Sequence, residues 1–222
     1  MAIVVHYACH PSVLGPDNRK ISADYPGAMR EEVEKLFPGA VCLFWQGAAG
    51  DINPYMDKQP VIGADHSGFE QALKMGRALA AEALRVAQKL ETRGADMALH
   101  AVGEVVEMRH CWDPDKRIRA GLTAVVLGSE MALVALPGEP FVHHQITLPA
   151  KSEVPYTLLL GYTSSEGDEW IGYLPTIEAA VAGGYGAGWN TRVEVGAGEM
   201  LVDRGLVRIY GLLGKLREVP EP

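Results

Sequence analysis

The sequence has few cysteines and no long apolar run. Its three cysteines, Cys9, Cys42 and Cys111, form no Cys-x-x-Cys pair, so neither a disulfide framework nor a cysteine zinc knot is available. No apolar stretch approaches the roughly 20 residues of a membrane span. The first ten residues lack a basic region and a signal-cleavage site, so they do not resemble a signal peptide. These absences predict a cytoplasmic protein without a membrane-spanning segment.

Positive charge is also scarce. The 222 residues include 20 Lys and Arg against 28 Asp and Glu, a net charge of −8. A surface that binds nucleic acid needs clustered Lys and Arg, so nucleic acid is excluded as the main partner. The phosphate-binding motifs GxxxxGK[ST] and GxGxxG are absent, which argues against nucleotide binding. With 48% apolar and 22% charged residues, the composition is that of a globular protein.

Strand-like runs alternate with helical patterns along the chain. The apolar spacing predicts one helix over residues 27–37 and a longer one capped by Ser67. In the longer helix, a stripe is predicted to face the core: Phe69, Leu73, Ala80, Leu84, Ala87 and Leu90. Strands are predicted over residues 3–8, 40–45, 99–108, 122–127, 131–136 and 156–161. We therefore predict a single α/β domain over residues 1–222, with a mixed β-sheet flanked by helices.

Polar residues gather in four places where predicted strands end. His6 and His10 bracket the end of the first strand, and Glu139 follows the strand at 131–136. A small-residue loop, 46–54, contains Asn53, and a later loop segment contains Tyr173 and Tyr185. Sites in sheet proteins with helical crossovers are built at strand ends. Taken alone, each of the four groups of residues is also typical of an ordinary turn or strand end without a function.

In order and spacing, the four places resemble the neutral, non-lysosomal ceramidases and their smaller bacterial relatives. The resemblance rests on HYACHPSVLGPDNRKISADYPG, WQGAAGDINP, ALPGEPF, and GYLPT followed by GGY. The ending GAGEMLVDRGLVRIYGLL is also similar, so the resemblance runs from about Val4 to about Leu213. It identifies the chain as the C-terminal part of a ceramidase-like catalytic domain.

This resemblance implies a zinc-dependent amidase that hydrolyses a small-molecule or lipid N-acyl substrate. It implies that the zinc ligands are His10, Glu139 and Tyr173, and that Tyr185 lines the site. Imidazole nitrogen and carboxylate oxygen are usual zinc ligands. A nearby cation can also lower the pKa of a phenol from about 10 into coordinating range. Zinc-bound water would attack the amide carbonyl, and Tyr185 would donate a hydrogen bond to the developing oxyanion.

Asn53 departs from the ceramidase pattern. Ceramidases have a serine at this position, in a Gly-Asp-x-Ser-Pro context, whereas this chain reads Gly50-Asp51-Ile52-Asn53-Pro54. An asparagine amide cannot accept the acyl group, but it can orient a substrate carbonyl. We therefore expect direct attack by water, with Asn53 as a catalytic residue, and the substrate need not be ceramide.

The family's first histidine ligand lies in a segment upstream of Val4 that this sequence does not contain. Three ligands would still match a catalytic zinc with one open position. Alternatively His6 supplies the missing ligand, since strand alternation puts positions 6 and 10 on one face. His143 is another alternative, since it would share a helix face with Glu139. A separate N-terminal chain could also complete the site, because the first strand, apolar on both faces, resembles an interior strand.

Two further expectations concern the surroundings of the site. Trp112, Trp170 and Trp189 lie in loops and could form an apolar wall for an acyl chain. Cys9 adjoins His10 but is expected to pack rather than act as a thiol nucleophile. The competing hypothesis is a non-catalytic remnant or subunit that needs a partner chain or forms a homo-oligomer.

Overall fold

The computed structural model describes residues 1–56, 59–60, 68–91, 97–163 and 170–216, with backbone alone at 55–56 and 59–60. The chain divides into two compact units. The first unit comprises Met1–Gln46 and Ile52–Ala95, and the second comprises Gly47–Asp51 and Asp96–Pro222. The assignment of residues 1–222 to one domain stays a prediction, and the predicted cap Ser67 lies outside the described residues.

The first unit contains a parallel strand pair and two helices. Its elements are β1 (Ala2–Tyr7), α1 (Asp24–Leu36), β2 (Val41–Gln46), β3 (Tyr55–Met56), β4 (Gln59–Pro60) and α2 (Gly68–Ala87). β1 and β2 pair in parallel, with Val5 opposite Phe44. Side chains of alternate residues in this pair pack with those of α1 and α2, including Val5, Cys42, Met29, Val33 and Ala80. The strands predicted at 3–8 and 40–45 and the helix predicted at 27–37 are thus observed with small shifts at their ends.

The predicted core stripe of α2 is partly wrong. Phe69 and Leu73 are exposed, and Leu90 lies beyond the end of the helix and is also exposed. The buried residues of the helix are Gly68, Ala72, Met75, Gly76 and Ala80. A Cβ at Gly76 would lie 2.6 Å from Ala28 Cβ and 2.8 Å from the carbonyl oxygen of Tyr25. The two helices therefore pack closely through small residues. A close approach of this kind leaves the larger apolar side chains of α2 outside the contact.

The second unit is built on a four-stranded mixed sheet. Its elements are β5 (Leu99–Arg109), β6 (Arg117–Leu127), β7 (Met131–Ala135), β8 (Glu139–Pro140), α3 (Val142–Lys151), β9 (Tyr156–Leu160), β10 (Tyr173–Leu174), α4 (Ile177–Ala182), a π-helix (Tyr185–Trp189) and α5 (Ala197–Leu212). The sheet order is β5-β6-β7-β9, antiparallel except for the parallel β7–β9 pair.

Helices flank this sheet and close its core. α5 packs on β5, β6 and β7, and α3 packs on β9. Buried apolar side chains from strands and helix meet in one cluster that includes Ile118, Val134, Leu159, Leu201 and Ile209. β6 and β7 form an antiparallel hairpin joined at Gly128, whose φ is 56°. The predicted α/β class with a mixed, helix-flanked sheet is confirmed.

Candidate active site

Glu139 and Tyr173 lie side by side on two short strands of the second unit. β8 and β10 pair in parallel with Glu139 opposite Tyr173. The Glu139 N–H donates to the Gly172 carbonyl oxygen at 3.0 Å, and the Phe141 N–H donates to that of Leu174 at 3.0 Å. Facing residues on neighbouring strands are within side-chain reach of one another. Two of the three predicted zinc ligands are therefore brought together, although 33 residues lie between them in the sequence.

Two glycines allow these backbones to approach one another. Gly138 has a φ of 68° and Gly172 a φ of 71°, a region that favours glycine. A Cβ at Gly138 would collide with the Gly172 carbonyl oxygen, and one at Gly172 with that of Asn190. The close contact of three backbone segments therefore requires glycine at both positions. The Pro-Gly-Glu turn places Glu139 at the start of β8.

The small-residue loop 47–51 holds the next segment of the site. The Gly50 N–H donates to the Pro140 carbonyl oxygen at 2.9 Å. The Ala48 N–H donates to Gln145 Oε1 at 2.8 Å, and Asp51 Oδ1 accepts from the Val142 N–H at 2.7 Å. An acceptor carboxylate at the first N–H groups of a helix stabilises that helix start. The GAAGD motif thus anchors β8 and the beginning of α3.

Glu139 is surrounded by phenols. The Tyr162 hydroxyl donates to Glu139 Oε2 at 3.0 Å. Burial, followed by the charge of Glu139 and a hydrogen bond to it, raises the pKa of Tyr173 well above its usual value. Without a cation, Tyr173 is therefore a neutral donor to the carboxylate. Tyr162 has a φ of 60°, a conformation that is uncommon outside glycine and concentrates at functional sites.

Tyr185 lies next to Tyr173 at the start of the π-helix. The two ring centroids are 5.8 Å apart, and Tyr185 is 72% exposed. On the other side of Tyr173, the ring of Phe141 is 6.3 Å away. The π-helix is a form often found at functional sites. Tyr185 thus lies beside Tyr173. Its places in the lining of a zinc site and as a donor to an oxyanion stay predictions.

These residues open onto a cavity of about 530 Å³ within the second unit, a size typical of small-molecule sites. Five aromatic side chains and five polar or charged residues form its wall. The lining consists of His110, Trp112, Glu139, Trp170, Tyr173, Tyr185, Trp189, Asn190, Thr191 and Arg192. The three tryptophans expected to form an apolar wall therefore share one cavity with Glu139 and Tyr173.

Sequence reasoning missed three polar residues of this site: Tyr162, His110 and Arg192. Tyr162 follows β9, and its N–H donates to the Gly138 carbonyl oxygen at 2.9 Å. His110 and Arg192 lie on segments joined by hydrogen bonds between Cys111 and Arg192 and between Glu194 and Arg109. No local motif marks these residues, because each depends on a contact between distant parts of the chain.

His10 lies in the first unit. Its ring Nδ1 is 3.1 Å from the Ile52 carbonyl oxygen, so Nδ1 carries the proton and Nε2 the lone pair. This arrangement is common in metal-binding histidines, whose other nitrogen donates to a carbonyl or carboxylate. β1 ends at Tyr7, so the premise that His6 and His10 share a strand face is wrong. Cys9 is buried, and burial raises the pKa of its thiol to about 11, in agreement with the expectation that it packs.

The helical alternative for His143 is also wrong. Glu139 lies in β8 and α3 begins only at Val142, so the two residues share no helix face. His143 is exposed, whereas its neighbour His144 is buried beneath α5, with Nε2 close to Gly198. Burial lowers the pKa of His144. His144 is thus a neutral packing residue.

Asn53 is exposed in the loop that follows β2 and precedes β3. Its predicted role as an orienting amide stays a prediction. Among the residues the structure describes, no three His, Cys, Asp or Glu side chains lie close enough together to hold a metal ion. The Glu139 carboxylate is of a kind that zinc accepts. Zinc held by His10, Glu139 and Tyr173 stays a prediction.

Comparison with solved structures identifies the architecture. The crystal structure of the neutral ceramidase from Pseudomonas aeruginosa aligns with 94% of this chain at a TM-score of 0.70 and 16% identity. A ceramidase complexed with C2 aligns with all of the chain at a TM-score of 0.75 and 14% identity. The chain has the neutral ceramidase fold. The ceramidase resemblance drawn from the motifs is therefore confirmed at the level of the fold.

This chain is shorter than the two ceramidase structures with which it aligns. The chain spans 44% of the first of these structures and 47% of the second. No protein-family model and no curated protein matches the chain. In the parts of this ceramidase-fold chain that are described, no helix is both long and apolar enough to cross a membrane.

Proposed function

We propose that the chain is a ceramidase-like hydrolase of amide bonds in N-acyl compounds. The observation that supports this most strongly is the placement of Glu139 and Tyr173 side by side in an aromatic cavity, in a chain with the ceramidase fold. The aromatic side chains suit the acyl chain of the substrate, and the polar groups suit its amide.

Zinc is the proposed cofactor, with His10, Glu139 and Tyr173 as ligands. His10 offers a nitrogen lone pair on Nε2, since Nδ1 donates to a carbonyl. When bound, zinc would supply a Lewis acid for the amide carbonyl and a hydroxide nucleophile at neutral pH. Tyr162 holds the Glu139 carboxylate through its hydroxyl, the kind of outer contact that orients a metal ligand.

The remaining residues act on the substrate. Tyr185 is proposed to donate a hydrogen bond to the developing oxyanion, and Asn53 to orient the carbonyl. The three tryptophans are proposed to contact the acyl chain. The proposal is tested by measuring the zinc content of the purified chain together with hydrolysis of a fluorogenic N-acyl amide. Stoichiometric zinc with zinc-dependent hydrolysis supports it, and the absence of both contradicts it.

Asn53 gives a prediction for the mechanism. If this amide only orients the carbonyl, Asn53→Ala should lower turnover by about 10 to 1000-fold, the scale of losing one oxyanion donor. Asn53→Ser restores the hydroxyl found in ceramidases, and we expect it neither to rescue turnover nor to form a covalent acyl intermediate. Turnover is measured with the fluorogenic amide and the adduct by mass spectrometry. Asn18→Ala, at another loop asparagine, is the control. Unchanged turnover in Asn53→Ala, or an acyl adduct on the serine variant, would refute attack by water.

A second candidate function is that of a subunit that works only with another chain. The observation that favours it is the β1–β2 pair. One face of these strands packs on the helices, whereas Val4, Val41 and Leu43 on the other face are 43%, 54% and 41% exposed. Parallel sheets are usually covered on both faces. We propose that a separate polypeptide chain covers this face.

Association of the purified chain tests this surface. Without its partner, the exposed face should lead the chain to self-associate, and light scattering should give a mass above the 23.9 kDa of the monomer. Val4→Lys should reduce association, because it places a charge on the apolar face. Val86→Lys on α2 is a matched control, since Val86 is 41% exposed. A monomer at high concentration, or an equal effect of both variants, would exclude the surface as an interface.

A further inference from the structure

The aromatic cavity contains a cation that the proposed hydrolysis does not use. Arg192 lines the cavity, and its Nη1 donates to the Trp170 carbonyl oxygen at 3.2 Å. Among the described residues, Arg192 forms no ion pair. The carboxylate of the same cavity, Glu139, is met by the hydroxyls of Tyr162 and Tyr173. The guanidinium therefore has donors that no carboxylate of the described chain engages.

His110 adds a second donor to this part of the wall. Its Nδ1 accepts from the backbone N–H groups of Trp112 and Asp113 at 3.0 and 3.1 Å. Since Nδ1 is the acceptor, the proton of the neutral ring lies on Nε2. The ring is held by two hydrogen bonds, so its remaining donor has a defined direction. Both residues line the cavity, and Arg192 carries a positive charge. We refer to Arg192 and His110 as the donor pair.

This donor pair lies away from Glu139. Tyr173 separates Glu139 from Asn190, and Arg192 lies two residues beyond Asn190, beside the segment that contains His110. Strand spacing puts the Cα atoms of Glu139 and Arg192 about 12 Å apart. A substrate with its amide beside Glu139 therefore has room to place a further group at Arg192.

We infer that the cavity selects N-acyl amino acids, with the substrate carboxylate held by Arg192 and His110. This inference rests on the proposed function and names its substrate class. A guanidinium binds a carboxylate with two parallel hydrogen bonds, which gives specificity as well as binding energy. The three tryptophans contact the acyl chain, so both halves of an N-acyl amino acid have a complementary surface in one cavity.

Binding is the measurement of choice, because it does not require turnover. Three of the four tryptophans of the chain line the cavity, so a Trp45→Phe background confines the fluorescence signal to the cavity. The ligands are N-decanoylglycine and N-decanoylethanolamine, which share the acyl chain and the amide and differ in the carboxylate. N-decanoyl-O-phosphoethanolamine tests phosphate as the alternative anion.

We expect N-decanoylglycine to bind at least tenfold more tightly than N-decanoylethanolamine, and Arg192→Gln to reduce this preference to about twofold or less. Arg119→Gln is the control, since Arg119 is exposed on β6 and does not line the cavity. His110→Gln should lower the preference by a smaller factor. Equal binding of the glycine and ethanolamine ligands, tighter binding of the phosphate, or no fluorescence response up to millimolar ligand would each overturn the inference.

Hydrolysis of the same ligands separates this inference from the proposed function. Selective binding of N-decanoylglycine without hydrolysis supports the donor pair and counts against the hydrolase. Hydrolysis of both amides at equal rates, with no effect of Arg192→Gln, supports the hydrolase and refutes the donor pair.

Discussion

Glu139→Gln is expected to lower zinc affinity by more than about 100-fold and to reduce hydrolysis of an N-acyl amide by about 1000-fold or more. The substitution keeps the shape of the side chain but replaces an anionic ligand by a neutral amide, and catalytic zinc chemistry depends on its coordinating residues. Zinc is measured by competition with a chromogenic chelator, and turnover with the fluorogenic amide. Unfolding of the metal-free chain by urea should be nearly unchanged, which would show that the fold is retained.

Two further variants sharpen this test. Tyr162→Phe removes the hydroxyl that donates to Glu139, and we expect a loss of about 10 to 100-fold in metal affinity, the scale of an outer-contact mutation. Glu130→Gln, an exposed carboxylate at the β6–β7 turn, should have no effect. Wild-type zinc content in Glu139→Gln would remove Glu139 from the ligand set. Equal losses in the Glu130 and Glu139 variants would show that neither effect is specific to the site.

Gly172→Ala is expected to destabilise the chain by about 3 kcal/mol or more. A Cβ at this position meets the Asn190 carbonyl oxygen, and the φ of 71° is unfavourable for any residue with a Cβ. The Asn190 backbone cannot move away as a flexible side chain could. The collision therefore adds to the free-energy cost of a left-handed conformation, which is roughly 1 to 2 kcal/mol. The free energy of unfolding is measured from urea titration.

Gly214→Ala is the matched control for this prediction. Gly214 has a φ of 65° in the same unit, but nothing lies within 4 Å of the Cβ position. We expect a loss of about 1 kcal/mol from the backbone alone. The difference between the two variants isolates the contact of the 170–173 and 190–192 segments, which also forms the cavity wall. If the two losses are equal, that contact does not constrain the backbone.

Most strands were predictable because each alternates or concentrates apolar residues within itself. β5 begins at Leu99 as predicted, and β7 and β9 differ from their predictions only at the C-terminal end. Such a pattern depends on neighbours along the chain, and it remains readable wherever the strand is placed. The core face of α2 was harder to predict. The helix buries Ala72, Gly76 and Ala80 rather than Phe69 and Leu73, because the close approach of α1 selects small residues.

Some residues of the candidate site were predictable from the sequence, and others were not. Glu139, Tyr173 and Tyr185 were assigned from ordered motifs, and the structure places all three in the lining of one cavity. Tyr162 carries no motif, yet it donates to Glu139. The helix that was to align His143 with Glu139 is absent from that segment, because Glu139 pairs with Tyr173 in a short parallel ladder instead. Sequence spacing alone does not distinguish these two arrangements.

By itself, the sequence determined the longer strands, the first two helices, the α/β class, and which residues belong to the ceramidase-like motifs. These features are encoded locally, in apolar periodicity, turn residues and short ordered strings. Only the tertiary structure decided that the three tryptophans share a cavity with Glu139, and that Arg192 and His110 lie in its wall. The physical reason is that these groups meet through hydrogen bonds and packing between segments distant in sequence, such as 109–111 with 192–194. No local pattern specifies such contacts.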